Sequence, residues 1–138
     1  MKYIGILAAL LVTGASSFAQ TRLTVTIDKI KNEKGFIRIG IFDSEDGFLK
    51  KPIDGKAVKM QGDRVTVVFD KLKPGTYAVS VIHDENDNKE LDTKAFGIPK
   101  EGVGFSNNVM GKFGPPSFQD ASIKLAGEES LNIDLKYM

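Results

Sequence analysis

The stretch P-G-T-Y-A-V-S-V-I, residues 74–82, combines a turn signal with a run that has the composition of a β-strand. Pro-Gly favours a turn, because proline fixes its own φ angle and glycine adopts backbone angles that other residues avoid. Behind the turn two sets of residues alternate: Tyr77, Val79 and Val81 in one set, and Ala78, Ser80 and Ile82 in the other. A period of two is typical of a strand. The stretch therefore predicts a core β-strand that is entered through a tight turn.

The same period of two recurs along the chain on both sides of this stretch. Further alternating or apolar runs lie at 23–27, 37–41, 57–60, 65–69, 122–125 and 131–137. Gly62-Asp63 separates the third and fourth runs, and a turn near Gly127 separates the last two, so we interpret both pairs as hairpins. About seven short strands without a convincing helix predict an all-β fold, a single antiparallel Ig-like β-sandwich.

The first nineteen residues have the pattern of a secretory signal. A basic start at Met1-Lys2 precedes an apolar run over 4–12, and Ser17-Phe18-Ala19 places small residues at the −3 and −1 positions of a cleavage site. The apolar run is too short to span a bilayer comfortably. We therefore expect a signal peptide at 1–19 and a mature domain at 20–138 without a membrane span. Such a protein is exported, to the periplasm or the extracellular space; a retained membrane anchor is the alternative.

Composition excludes several classes of function. The chain has 138 residues, a net charge of +1 and no cysteine. The absence of cysteine excludes disulfides, thiolate metal sites and catalytic thiols. The sequence has no basic stripe with interleaved aromatic residues, which argues against binding to nucleic acid. The length fits one domain, and we expect that domain to be a monomer.

An acidic stretch, H-D-E-N-D-N-K-E-L-D over 83–92, follows the predicted core strand directly. Calcium takes about six to eight oxygen ligands, and loops supply them from alternate positions. Oxygen-bearing residues recur at every second position here: Asp84, Asn86, Asn88, Glu90 and Asp92. Counted from Asp84, they take positions 1, 3, 5, 7 and 9 of an EF-hand-like loop, in which position 7 ligates through its carbonyl. The spacing predicts a Ca²⁺ site formed by these five residues.

Two positions depart from that frame. Lys89 stands at position 6, where glycine usually makes the sharp turn, and Ala95 stands at position 12, where a bidentate acid is usual. Asn88 tolerates a left-handed conformation, so the turn can form one residue earlier. Three later residues are candidates for the missing oxygens: Glu101, Asn107 and Asn108. The alternative to a metal site is a solvated, charged turn.

The connection from His83 to about Phe118 contains no clear strand, which is unusual in a compact domain. Its aromatic residues, among them Phe96, Phe105 and Phe113, are too apolar to leave solvated, so we expect one long ordered loop. Either a cation bound at its start or the packing of these aromatics would order it. Its glycines match neither the Walker pattern nor the dinucleotide fingerprint, and we interpret them as turn residues.

His83 is the only histidine of the chain. One histidine without cysteine is a poor set of zinc ligands, and no serine at a recognisable spacing supports a catalytic triad. We interpret His83 as a structural residue that is hydrogen-bonded to a neighbouring loop. The alternative role is that of a general base oriented by Asp84 or Asp87.

Several of these segments together resemble a known family. The run L-K-P-G-T-Y-A-V-S-V-I-H-D-E-N-D-N, then L-D-T, F-G-I-P-K-E-G-V-G-F-S-N-N and I-D-L-K-Y, is similar to the bacterial family called domain of unknown function 2141. The resemblance covers nearly all of the mature chain and implies a small exported protein, but no activity. The family pattern usually has glycine where Lys89 stands. More distantly, K-P-G-T-Y-A-V resembles prealbumin-like and carboxypeptidase-regulatory-like sandwiches, which bears on fold and not on activity.

Two classes of function remain open from the sequence. The first is a non-enzymatic exported β-sandwich in which Ca²⁺ orders the long loop and so forms a surface for an envelope protein or a glycan. The second is a metal-assisted hydrolase that uses His83 and loop carboxylates; it has few candidate catalytic residues. A purely structural envelope domain that binds no metal is a third interpretation.

Overall fold

A computed structural model describes residues 21–93 and 98–138. The predicted signal at 1–19 lies outside these residues, as do Ala95 and Phe96 of the acidic loop's continuation. Within the described ranges no helix is both long and apolar enough to cross a membrane.

The regular secondary structure of the described chain is almost entirely β-strand, and two sheets pack together, which confirms the predicted all-β sandwich. Its eight strands are β1 (Thr21–Asp28), β2 (Phe36–Phe42), β3 (Asp54–Lys59), β4 (Val65–Leu72), β5 (Gly75–Asp84), β6 (Val103–Phe105), β7 (Ile123–Leu125) and β8 (Glu128–Asp134). A 3₁₀ turn (Ser106–Asn108) follows β6, and a single helical turn, α1 (Phe118–Ala121), precedes β7.

The strands form two sheets. The first has the order β4-β1-β8, and the second has the order β3-β2-β5-β6. Strand β7 also pairs with β5, beside Gly75–Tyr77, while β6 pairs beside Ser80–Ile82. The pairs are antiparallel except that β1 and β8 run parallel. The stretch at 74–82 therefore supplies the central strand of the larger sheet, as its alternation predicts.

Both predicted hairpins are wrong. Strand β3 pairs with β2, and β4 pairs with β1 in the other sheet. In the same way β7 pairs with β5, and β8 with β1. The turns near Gly62 and Gly127 thus carry the chain from one sheet to the other. Alternation shows which residues face the core, but strands of both sheets face the same core, so it does not show which strands pair.

The core lies between the sheets and consists of the alternating residues of their inner faces. Fully or almost fully buried members include Leu23, Val25, Ile27, Ile37, Ile39, Ile41, Val67, Phe69, Val79, Val81 and Ile133. Gly104 also faces this core. A Cβ atom there would lie 2.6 Å from the Ile133 Cγ2 atom, so only glycine lets β6 approach β8 this closely.

A second apolar cluster covers the outer face of the larger sheet. It comprises Phe42, Phe48, Ala78, Val103, Phe105 and Ala121, with Val109, Met110 and Phe118 against it. Aromatic packing therefore orders the later part of the long connection, as one of the two predicted mechanisms requires. The prediction is wrong for Phe113, which is fully exposed. The prediction that the connection contains no strand is also wrong, since β6 lies within it. With only three residues, β6 is too short to show a period of two in the sequence.

Candidate functional site

The acidic loop leaves the larger sheet at the end of β5, and a buried carboxylate fixes its start. Asp84 is 0 % exposed. Its carboxylate accepts hydrogen bonds from Arg38 Nε at 2.7 Å and from the backbone N–H groups of Asn88 at 3.2 Å and Lys89 at 2.9 Å. Burial alone would raise the pKa of Asp84, but these donors outweigh it and hold the pKa below its ordinary value of 3.8. Asp84 is therefore a charged anchor that bends the loop back on itself.

The sharp turn of the loop forms with lysine in the place of glycine. Lys89 has a φ of 62°, and Asp87 has a φ of 52°. The prediction that Asn88 would take the left-handed conformation instead is wrong. For a residue with a Cβ atom this conformation costs roughly 1–2 kcal/mol, and the bonds from the loop to Asp84 hold it.

The side chains of the loop converge on Asp92. The Asn86 amide donates to Asp92 Oδ2 at 2.7 Å, and the Asn88 amide donates to Asp92 Oδ1 at 2.7 Å. The two amide oxygens accept backbone N–H groups within the loop, from Asn88 at 3.3 Å and from Glu90 at 3.0 Å. Glu90 itself is exposed. Of the five residues predicted as ligands, the structure brings Asn86, Asn88 and Asp92 together.

Glu101 connects the two ends of this loop. It is 4 % exposed, and its carboxylate accepts the backbone N–H of Glu85 at 2.8 Å and that of Asp92 at 2.9 Å. Burial and the neighbouring Asp92 carboxylate raise the pKa of Glu101, whereas amide donors, Asn88 first, lower the pKa of Asp92. The carboxyl groups of Glu101 and Asp92 are therefore close neighbours that influence each other's charge.

The other two candidates for additional oxygens lie elsewhere. The Asn107 side chain donates to the carbonyl groups of Asp120 at 3.0 Å and Ser122 at 2.9 Å. Asn108 accepts the backbone N–H of Asp134 at 2.9 Å. Each is therefore engaged in holding the chain between β6 and β8, away from the acidic loop. Of the three candidates, only Glu101 is hydrogen-bonded to the acidic loop.

His83 is buried and uses both ring nitrogens within the protein. Nε2 lies 2.7 Å from the Lys34 carbonyl oxygen, and Nδ1 lies 2.7 Å from the Tyr137 hydroxyl. A carbonyl only accepts, so Nε2 carries a hydrogen, and the Tyr137 hydroxyl is the hydrogen-bond partner of Nδ1. The Tyr137 oxygen in turn accepts the Lys31 N–H at 3.1 Å. This arrangement corresponds to the structural interpretation, since a general base needs a free nitrogen that faces a substrate.

An open depression lies beside the acidic loop. Its lining residues are Glu85, Asn86, Asp92, Lys100 and Glu101. Asp84 and His83 are not among them. Across 21–93 and 98–138 no three His, Cys, Asp or Glu residues are already arranged to hold a metal ion. Two carboxylates, of Asp92 and Glu101, nevertheless meet at this depression with the Asn86 amide beside them.

Sequence reasoning missed Arg38. Its guanidinium binds Asp84 through Nε and Asp87 through Nη2 at 2.6 Å, and it lies over the Phe36 ring at 5.6 Å from the ring centroid. The Arg38 guanidinium therefore occupies a carboxylate lone pair of Asp84 that a metal ion ligated at position 1 of the loop would use. Its place on the outer face of β2 follows from alternation with buried Ile37 and Ile39, but alternation does not reveal that β2 lies beside β5.

The fold and this loop define a class: small two-sheet β-sandwich proteins in which an acidic Asp/Asn loop at one end of the central strand is closed by a later glutamate. The family model of DUF2141, described as uncharacterized proteins conserved in bacteria, matches residues 25–133. The chain belongs to this family, which confirms the resemblance carried by its motifs. Neither curated proteins nor solved structures gave a significant match, so the resemblance to prealbumin-like sandwiches stays a prediction.

Proposed function

We propose that this chain is an exported, non-enzymatic β-sandwich protein whose acidic loop binds Ca²⁺ and thereby presents an ordered surface to an envelope protein or a glycan. The observation that carries the proposal is the meeting of Asp92 and Glu101 in an open depression, with Asn86 and Asn88 directed at Asp92. Hard cations select such carboxylate and amide oxygens. Two adjacent carboxylates favour a divalent cation, because the charge of the cation offsets their mutual repulsion.

The calcium site that we propose differs in its ligands from the one the sequence predicts. Asn86, Asn88, Asp92 and Glu101 are the proposed side-chain ligands, and Glu90 contributes at most its carbonyl. Both asparagine amides now direct nitrogen at Asp92, so binding requires each to rotate and present oxygen. Asp84 then acts by positioning the loop through Arg38 and the loop amides, and not as a ligand.

Calcium titration tests the metal site. At a Ca²⁺ concentration 100 times the dissociation constant, binding adds roughly 2.7 kcal/mol to the free energy of unfolding. Extracellular modules bind calcium at about 0.1–1 mM, so 10 mM Ca²⁺ should raise the melting temperature by several degrees. Asp92→Asn should remove that rise, and Asp70→Asn, an exposed acid on β4, should retain it. No rise in the unmodified protein, with no heat of binding by calorimetry, would reject the calcium site.

A metal-free structural role is the second candidate, and one observation favours it. The four side chains that we propose as ligands already have hydrogen-bond partners inside the protein: Asn86, Asn88, Asp92 and Glu101. The same titration separates the candidates, because a structural loop responds equally to Ca²⁺, Mg²⁺ and added NaCl at matched ionic strength.

Export is proposed from residues 1–19 alone and needs its own test. Expression of the full chain in a bacterium should give a mature protein that begins at Gln20, as measured by intact mass. Replacing the small residue at the −1 position, as in Ala19→Tyr, should leave the signal attached. A full-length intact mass for the unmodified chain would reject cleavage at this site.

A further inference from the structure

The two long sides of the sandwich are closed in different ways. On one side Val103 and Lys136 exchange two backbone hydrogen bonds, of 2.9 and 2.8 Å, which link β6 to the chain just after β8. On the other side β3 and β4 are the last strands of their sheets, and no pairing between them occurs in the described residues. An end strand carries unpaired N–H and C=O groups to which another strand can add.

Lys56 occupies the gap between these two end strands. It lies opposite buried Ile39 in the pairing of β3 with β2, and since directly opposed residues point the same way, its side chain enters on the core side. Its ammonium group donates to the Val68 carbonyl of β4 and lies 5.0 Å from the centroid of the Phe69 ring. Lys56 is an exposed residue, although its position in β3 lies on the inner face of the sheet, where the other strands carry buried apolar residues.

The sequence of β4 is suited to pairing with itself. A two-fold axis through Val68 would place Val67 of one chain opposite Phe69 of the other, both on the inner face. The same axis places Thr66 opposite Asp70 on the outer face, so the four residues around Val68 meet residues of the same kind and the same face. A second copy of the same strand is therefore an occupant that the middle of this edge can accept.

We propose that the free edge of β4 is a latent self-association surface for a second copy of this chain, and that Lys56 keeps it closed. Inward-pointing charged residues on end strands are a recognised protection against edge-to-edge pairing. Lys56 acts in two ways: its bond occupies a carbonyl of β4, and its charge would be buried beside the incoming strand.

Lys56→Met tests the proposal, because methionine retains the contact with Phe69 but lacks the ammonium group. Lys59→Met is the matched control: it removes the same charge from an exposed position of the same strand, but on the other face of the sheet, opposite Phe36. Light scattering during size exclusion should show one chain per particle for the unmodified protein and Lys59→Met, and two for Lys56→Met. Hydrogen exchange should slow within Val65–Leu72 only in the Lys56→Met dimer.

A second-site change distinguishes this interface from general stickiness. In Lys56→Met/Val68→Lys, lysine meets lysine on the two-fold axis, and the particle should return to one chain. If Lys56→Met does not fold, Lys56→Gln tests the same loss of charge. The proposal is overturned if the folded Lys56 variants remain single chains, if the unmodified protein already pairs through β4, or if the dimer forms without slower exchange in β4.

Discussion

Replacing Asp84 by asparagine should destabilise the protein more than any other conservative change in the acidic loop. The carboxylate has three donors: Arg38 Nε and the N–H groups of Asn88 and Lys89. An asparagine amide offers one oxygen, so at least one donor then faces an NH₂ group without a partner. A buried donor without a partner costs about 1–3 kcal/mol, and breaking a buried ion pair costs up to roughly 3–5 kcal/mol.

The Arg38 side chain is 26 % exposed and keeps Asp87 as a partner, so the ion-pair cost lies at the low end of that range. We therefore expect Asp84→Asn to lower the free energy of unfolding by about 2–4 kcal/mol and the melting temperature by roughly 10 °C. Urea unfolding followed by circular dichroism measures the loss. Asp70→Asn, at an exposed position, should change little. In a double-mutant cycle, adding Arg38→Gln should cost less in the Asp84→Asn background than alone.

The pH dependence of the same difference provides a further test. Because the pKa of folded Asp84 lies below its ordinary value of 3.8, the charged carboxylate contributes stability above that value. The contribution is lost as the pH falls through the lower, folded pKa. The stability difference between the unmodified protein and Asp84→Asn should thus be constant near neutral pH and shrink below about pH 4. A loss under about 0.5 kcal/mol at pH 7, or a difference that grows in acid, would refute the reasoning.

Three other substitutions test neighbouring features by thermal unfolding. Lys89→Gly should raise the free energy of unfolding by up to about 1 kcal/mol, because glycine adopts the left-handed conformation at φ 62° without strain. A lower free energy of unfolding would show that the lysine side chain itself stabilises the fold. Glu101→Gln should lower the free energy of unfolding by about 1–3 kcal/mol, because the new amide has one oxygen and can accept only one of the N–H groups of Glu85 and Asp92. An unchanged melting temperature would contradict the role of Glu101 in connecting the two ends of the acidic loop. Gly104→Ala should cost about 1–3 kcal/mol, because the new Cβ would meet Ile133 at 2.6 Å; an equal melting temperature would mean that β6 can shift without penalty.

The strands could be predicted where their information is local. In β5, Tyr77, Val79 and Val81 face the core between the sheets, while Ala78 faces the second apolar cluster. This period of two is visible in a single sequence. The partner strands of β3 and of β4 could not be predicted in this way. The turn at Gly62 is compatible with a hairpin or with a crossing between sheets, and the choice depends on how Val58 and Val65 pack in the assembled core.

The acidic loop shows a similar division. The spacing from Asp84 to Asp92 correctly indicated a loop whose polar side chains turn toward one another, since such periodicity is local. The partners that decide the role of each carboxylate come from distant positions. Arg38, which binds Asp84, lies on a strand 46 residues earlier in the sequence. Glu101, which binds the N–H of Glu85, lies within the long connection in which the sequence predicts no strand. Only the tertiary fold shows that the first aspartate is neutralised by arginine.

The parallel pairing of β1 with β8 has a consequence for the order of folding. Strand β1 occupies the centre of its sheet, but one of its neighbours, β8 (Glu128–Asp134), lies far from β1 in the sequence. Contacts between residues that are far apart in sequence form late and slow the folding reaction. The smaller sheet cannot be completed until the chain has been made through β8. A nascent chain that ends before Glu128 would leave Leu23, Val25 and Ile27 covered by β4 and the larger sheet alone, without their second neighbour.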